Sequence, residues 1–272
     1  MTRRFLAVCL LFTALAATPA AAAVQPVPFG ISVGSTDDPG RYAGWAGQPI
    51  GAARVFFSQV PTSWSSSPIL RALPTGALVA FSFNSGTAAA VTAFELSRPA
   101  GTPCTATFWH EPENDGQWQG ASGQAAYRAQ WDYYAPAIRA GGCQPMLVLM
   151  RYTLNQPGGV DWHGWYSSSA VDVLGWDAYN SGRKKQPAIY TDPAIILDKM
   201  AAAGAEQGKP WAIAETGSPI ERTSGERATW AAALAQGVVA RGGLFACWWD
   251  QANPETGFDN TLDPAAAQAW HG

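Results

Sequence analysis

Trp211-Ala212-Ile213-Ala214-Glu215-Thr216-Gly217 is a short apolar run that stops on a carboxylate, and Phe108-Trp109-His110-Glu111-Pro112-Glu113 is a second run of the same design. Strands that are apolar throughout are buried on both faces, as in a parallel sheet, and a parallel α/β barrel carries its chemistry at the carboxyl ends of its strands. Six further strand-like runs occur at 29–33, 53–57, 77–83, 146–150, 171–176 and 244–248, so the two quoted runs, over 105–109 and 211–214, are the fourth and seventh of eight. Helical or loop segments separate all eight. That alternation predicts an α/β protein with a single (β/α)8 TIM barrel, and periodicity alone leaves a doubly wound sheet as the alternative.

Several of the intervening segments carry helix signals. Asp192-Pro193 supplies an N-cap and a preset first turn ahead of Ile195, Ile196 and Met200, with Gly204 as a stop. Thr223 and Glu226 have capping-box spacing before Trp230, Leu234 and Val238, and Gly242-Gly243 ends that helix. Tyr127, Trp131, Tyr134 and Ile138 recur at helical spacing before Gly141. The 85–101 segment is weaker, with Val91, Phe94 and Leu96 as its apolar stripe.

Composition narrows the function. Residues 1–23 read as a signal peptide: Arg3 and Arg4 form the positive region, 5–16 the apolar core and Ala21-Ala22-Ala23 the cleavage zone. The mature chain, 24–272, is then one exported catalytic domain, secreted and free of the membrane once the signal is removed. Losing Arg3 and Arg4 takes the formal charge from −3 to −5. With only the short Arg183-Lys184-Lys185 run as a basic cluster, nucleic acid is not an expected partner. The 13 tryptophans, in a chain only 14% charged, provide indole faces of the kind that stack on sugar rings, although most tryptophans in any fold serve packing. Cys104 and Cys143 each precede a predicted strand. Adjacent strands would bring the two thiols together at the barrel's bottom rim, so this pair is predicted to form a disulfide, leaving Cys247 as a buried free thiol.

Two carboxylates at strand ends are the requirement of glycoside hydrolysis, in which one protonates the leaving oxygen and the other attacks the anomeric carbon or activates water. The residues also resemble a family. His110-Glu111 closing the fourth strand, Trp118 just beyond it, the sixth-strand run Val171-Asp172-Val173-Leu174-Gly175-Trp176-Asp177-Ala178-Tyr179, and Ala214-Glu215-Thr216-Gly217 ending the seventh are similar to glycoside hydrolase family 26. That family belongs to the clan of retaining (β/α)8 glycosidases and includes β-mannanases. The chain departs from the family's usual pattern at Pro112 and Glu113, where a Met-Asn pair is common.

The resemblance implies a β-mannanase-like, endo-acting enzyme on polysaccharide or oligosaccharide, a monomer requiring no cofactor, with Glu111 as general acid/base and Glu215 as nucleophile. It also implies that Arg54 and Tyr179 donate to Glu215, that His110 contacts a sugar hydroxyl, and that Asp177 supports the site by hydrogen bonding. Trp109 and Trp118 are candidates for the apolar wall beside Glu111, and Trp248 or Trp249 for the sugar-stacking platform. Glu113 rivals Glu111 for the acid role. Pro112 should break the strand and turn Glu113 away, toward solvent, while Asp250 has no assigned role.

Two other readings compete. A metal-dependent hydrolase would use His110, Glu113 and His163 or His271, but three scattered histidines lack helical ligand spacing. A sugar-binding barrel without activity would use the same glutamates only as hydrogen-bonding groups. A serine hydrolase is disfavoured because no Gly-x-Ser-x-Gly elbow follows a strand.

Overall fold

Eight parallel strands close into a barrel in simple chain order. They are β1 (Phe29–Gly34), β2 (Ala52–Gln59), β3 (Leu78–Ser85), β4 (Cys104–Phe108), β5 (Gln144–Met150), β6 (Val173–Asp177), β7 (Trp211–Thr216) and β8 (Ala246–Trp249), and β8 pairs back onto β1. This architecture is seen in a computed structural model that describes residues 26–34, 50–156, 160–180, 190–253 and 257–271. The expected signal peptide and the Arg183-Lys184-Lys185 run lie outside the described residues. Around the barrel are α1 (Pro68–Ala72), α2 (Ala88–Leu96), α3 (Gly120–Gly141), α4 (Pro193–Gln207), α5 (Ser224–Ala240) and α6 (Pro264–His271). Among the described residues, no helix is long and apolar enough to cross a membrane.

Side-chain alternation divides the strands between two cores. Ala52, Leu78, Ala80, Met146, Val148, Val173, Ala212, Ala214, Phe245 and Cys247 fill the lumen. Their neighbours, such as Val79, Leu147, Leu149, Leu174 and Ile213, point outward to the helix layer, where the tryptophans and phenylalanines collect. At the β1–β2 seam a Cβ on Gly30 would lie 1.5 Å from the Ala52 carbonyl oxygen, so only glycine fits. The Gly30 carbonyl also accepts from Trp270 Nε1 at 2.9 Å, which docks α6 over the β1–β8 closure.

The predicted helix starts hold. Asp192 caps α4 by accepting from Ala194 N–H, and Thr223 caps α5 by accepting from Glu226 N–H. Two boundaries and one buried stripe are corrected. Gly204 lies within α4, because Gly208, at φ 62°, takes the left-handed position that ends a helix. Leu96 is 66% exposed, because α2 turns Val91, Phe94 and Glu95 inward instead. β4 stops at Phe108, because Trp109 leaves the strand with φ 47°. Cys104 and Cys143 form the predicted disulfide, with Cα atoms 4.8 Å apart, and Cys247 is a buried free thiol.

Candidate active site

β6 and β7 bring two carboxylates face to face. Asp177 pairs in register with Glu215, and the ladder shifts beside both residues, between β6 and β7 and again between β7 and β8. Such irregularities re-aim side chains at barrel rims. Glu215 is 5% exposed, and Asp177 is fully buried.

Three groups converge on Glu215. Tyr179 donates from its hydroxyl to Glu215 Oε2 at 2.6 Å. Arg54, fully buried on β2, lies with Nε 3.9 Å from Glu215 Oε1 while Nη2 donates to Ser82 Oγ on β3 at 2.6 Å. Glu111 acts on it as a like charge. Burial pushes the Glu215 carboxyl up to about 7, with Arg54 and Tyr179 pulling it down and Glu111 pushing it up. Burial also holds Asp177 well above the usual carboxylate range, and the charges of Glu215 and Glu111 add to this. Neither Asp177 oxygen has a hydrogen-bond partner among the described residues.

Glu111 sits on a strained turn. Trp109 and Glu111 both have positive φ, 47° and 51°, a region costing non-glycine residues about 1–3 kcal/mol each. Neighbouring elements hold the turn in place. Trp109 N–H donates to Phe83 O at 2.9 Å, Glu111 N–H to Val148 O at 3.0 Å, and the Tyr127 hydroxyl of α3 lies 2.9 Å from Trp109 O. Asn114 Nδ2 then donates to Glu111 Oε2 at 3.0 Å and is itself supported by Tyr152, whose hydroxyl donates to Asn114 Oδ1 at 3.1 Å. Glu111 is half-buried, leaving it the more accessible of the turn's two glutamates.

His110 is held neutral, pushed down to about 3 by burial and by the Arg54 charge. Its ring lies 5.2 Å from Phe56, which in turn meets Trp249 edge-on at 5.7 Å and carries Arg54 over its face at 4.6 Å. His110, Phe56 and the half-buried Trp249 therefore form one wall at the strand ends. Trp109 and Trp118 pack edge to face at 5.7 Å, and Trp118 also leans on Phe108 and Tyr127.

Two expectations are corrected here. Trp248 points outward, fully buried against Trp230 and Trp270, with Nε1 donating to Asn260 O at 2.7 Å, so no face is left for a sugar. Glu113 does turn away from Glu111, but into the protein: it is 4% exposed and accepts the Met150 N–H on Oε1. Asp250 is structural, accepting from Leu262 N–H at 2.7 Å. The metal reading finds no assembled ligand set, since among the described residues no group of three or more His, Cys, Asp or Glu side chains is arranged to hold a metal ion. His163 is instead bound between Asp161 and Glu206 on the surface, at 2.6 and 2.8 Å. Phe56 and Asn114 were not anticipated. Phe56 could have been found, because strand alternation puts it on the same face as Arg54.

No family model matches the sequence, and no curated protein matches it either. Solved structures do. A GH26 β-mannanase from Bacteroides ovatus superposes with a TM-score of 0.60 at 15% identity, covering 91% of this chain and 88% of that one. The catalytic domain of a GH26 endo-β-1,4-mannanase from Bacillus sp. JAMB-750 gives 0.57 at 16% identity, with 91% and 86% covered. A family 5 xyloglucanase from Paenibacillus pabuli gives 0.60 at 12%, with 90% and 98% covered. This chain shares their (β/α)8 fold. In that fold the carboxyl ends of the strands are the functional face, and there Glu111, Asp177, Tyr179 and Glu215 meet.

Proposed function

We propose that this protein is an exported, retaining glycoside hydrolase that cleaves β-linked polysaccharide by double displacement, with β-mannan the first substrate to test. One observation carries the reading: Glu111, just after β4, and Glu215, at the end of β7, lie at the carboxyl face of the barrel, and Glu215, in register with the buried Asp177, is gripped by Arg54 and Tyr179. A group held by a cation and a phenol is favoured in its ionised form, as a nucleophile must be. The accessible Glu111 is placed to move protons. In the first step a Glu215 oxygen bonds to the anomeric carbon while the glycosidic C–O bond breaks and Glu111 gives its proton to the leaving oxygen. In the second, Glu111 takes a proton from water, the water oxygen bonds to the anomeric carbon, and the ester to Glu215 breaks. His110 and Trp249 line the wall against which the sugar would lie.

The disulfide fits an oxidising compartment and supports export after removal of residues 1–23. The mannanases and the xyloglucanase with the same fold support β-linked polysaccharide as the substrate class. The test is reducing-sugar release from a panel of mannan, β-1,3-xylan, mixed-linkage glucan and xyloglucan by the wild type and by Glu215→Ala. Release from at least one polymer is expected, falling by several orders of magnitude in the variant. Retardation in an affinity gel without any release would identify a sugar-binding barrel instead.

A further inference from the structure

The proposed chemistry uses Glu111 and leaves the second glutamate of the same turn without a task. Glu113 is 4% exposed although it lies on a loop, and a buried carboxyl needs a reason. The reason lies in the strand beside it. β4 and β5 share only two register pairs, Thr105 with Gln144 and Ala106 with Pro145, at the bottom of the barrel. Above them the two strands share no further register pair, and the 111–113 turn meets the upper part of β5 instead. Glu111 N–H donates to Val148 O at 3.0 Å, and two residues further along β5 the Met150 N–H donates to Glu113 Oε1. The Glu113 carbonyl is itself tied down by Gln119 Nε2 at 2.8 Å.

We propose that Glu113 is a positioning residue: its carboxyl group stands in for the missing β4 partner on β5 and so holds the left-handed turn that presents Glu111. The inference rests on the reading of Glu111 as the acid/base. The surroundings dictate the form Glu113 takes. Oε2 is buried without a hydrogen-bond partner, and the titratable groups acting around it are Glu111 on its own turn, Tyr127 on α3 and Tyr152 after β5, none of them a cation. A neutral carboxylic acid fits that setting and an ion does not. Accordingly, burial pushes Glu113 up to about 8 despite the Met150 bond, with the charge of Glu111 adding to the effect.

Glutamine copies a neutral acid in shape and keeps the acceptor for Met150, whereas alanine removes it. Glu113→Ala should therefore lose about 10²-fold in kcat on the natural glycan with KM little changed, because Glu111 shifts. The loss should nearly vanish on an aryl glycoside whose acidic leaving group needs no proton. Glu113→Gln should recover most of what alanine loses. In the wild type the Glu113 carboxyl should titrate with a midpoint of about 8 by carbon-13 NMR. Equal losses in the two variants would overturn the inference, and the NMR midpoint decides even if Glu113→Ala fails to fold. If no glycan is turned over, the functional reading fails, and carbon-13 NMR titration of the Glu113 carboxyl still decides this point. A midpoint near 8 supports the buried neutral acid, and one near the ordinary 4.5 refutes it.

Discussion

At the residue scale, the proposed nucleophile depends on one short bond. Tyr179 donates to Glu215 at 2.6 Å, and hydrogen bonds to charged groups contribute about 1.5–3 kcal/mol. Glu215 must be ionised to attack, so activity should fall as pH drops through about 7. Tyr179→Phe removes a donor that favours the ion. The acid limb of kcat/KM should then move to higher pH, and kcat should drop by about tenfold to a hundredfold. An unmoved limb would mean that Arg54 alone sets the ionisation. The candidate residues were legible in the sequence to different degrees. Glu215 and Glu111 could be picked out because each follows an apolar strand, whereas Tyr179 was reached only through the resemblance to the glycosidase clan. Trp248 and Trp249 could not be told apart, since a single step along a strand reverses the face and only the register shift beside β8 settles which indole looks inward. Glu113 was misread because proline breaking a strand says where the chain bends, not which neighbour will receive the next side chain.

At the element scale, the eight strands were recoverable because strands buried on both faces remain apolar from end to end, and the helix starts because caps have chemistry of their own. Helix ends were less so: Gly204 and Gly208 both offer a stop, and only the left-handed φ at Gly208 tells them apart. The β4–β5 neighbourhood is joined covalently as well as by its short ladder, through Cys104 and Cys143. Closing a loop of about 40 residues contributes roughly 4 kcal/mol in the chain-entropy model. Replacing both cysteines by serine should therefore lower the unfolding free energy by about that amount in denaturant titrations. An unchanged midpoint would locate the stability of this region in packing rather than in the cross-link.

At the scale of the whole molecule, a second buried acid lies far from the proposed chemistry, between α2 and α3. Glu95 is fully buried with both oxygens unpartnered, and burial pushes it up to about 9, only partly offset by Arg98. The folded protein thus keeps a proton that the unfolded chain releases near 4.5, so stability from this residue is complete below 4.5 and declines as pH rises through about 9. The stability gap between Glu95→Gln and the wild type should widen in the variant's favour by about 4 kcal/mol between about pH 5 and pH 8. Parallel pH curves would remove Glu95 from the balance. The barrel brings the carboxyl ends of β4 and β7 to one face, and the proposed function turns on a division of labour between Glu111 and Glu215. The most direct measurement is azide rescue on an aryl β-glycoside with an acidic leaving group, with products resolved by proton NMR. Glu111→Ala should still form the ester to Glu215 and yield the β-glycosyl azide, whereas Glu215→Ala should yield the α-glycosyl azide by direct displacement. The opposite pairing of products would contradict the assignment.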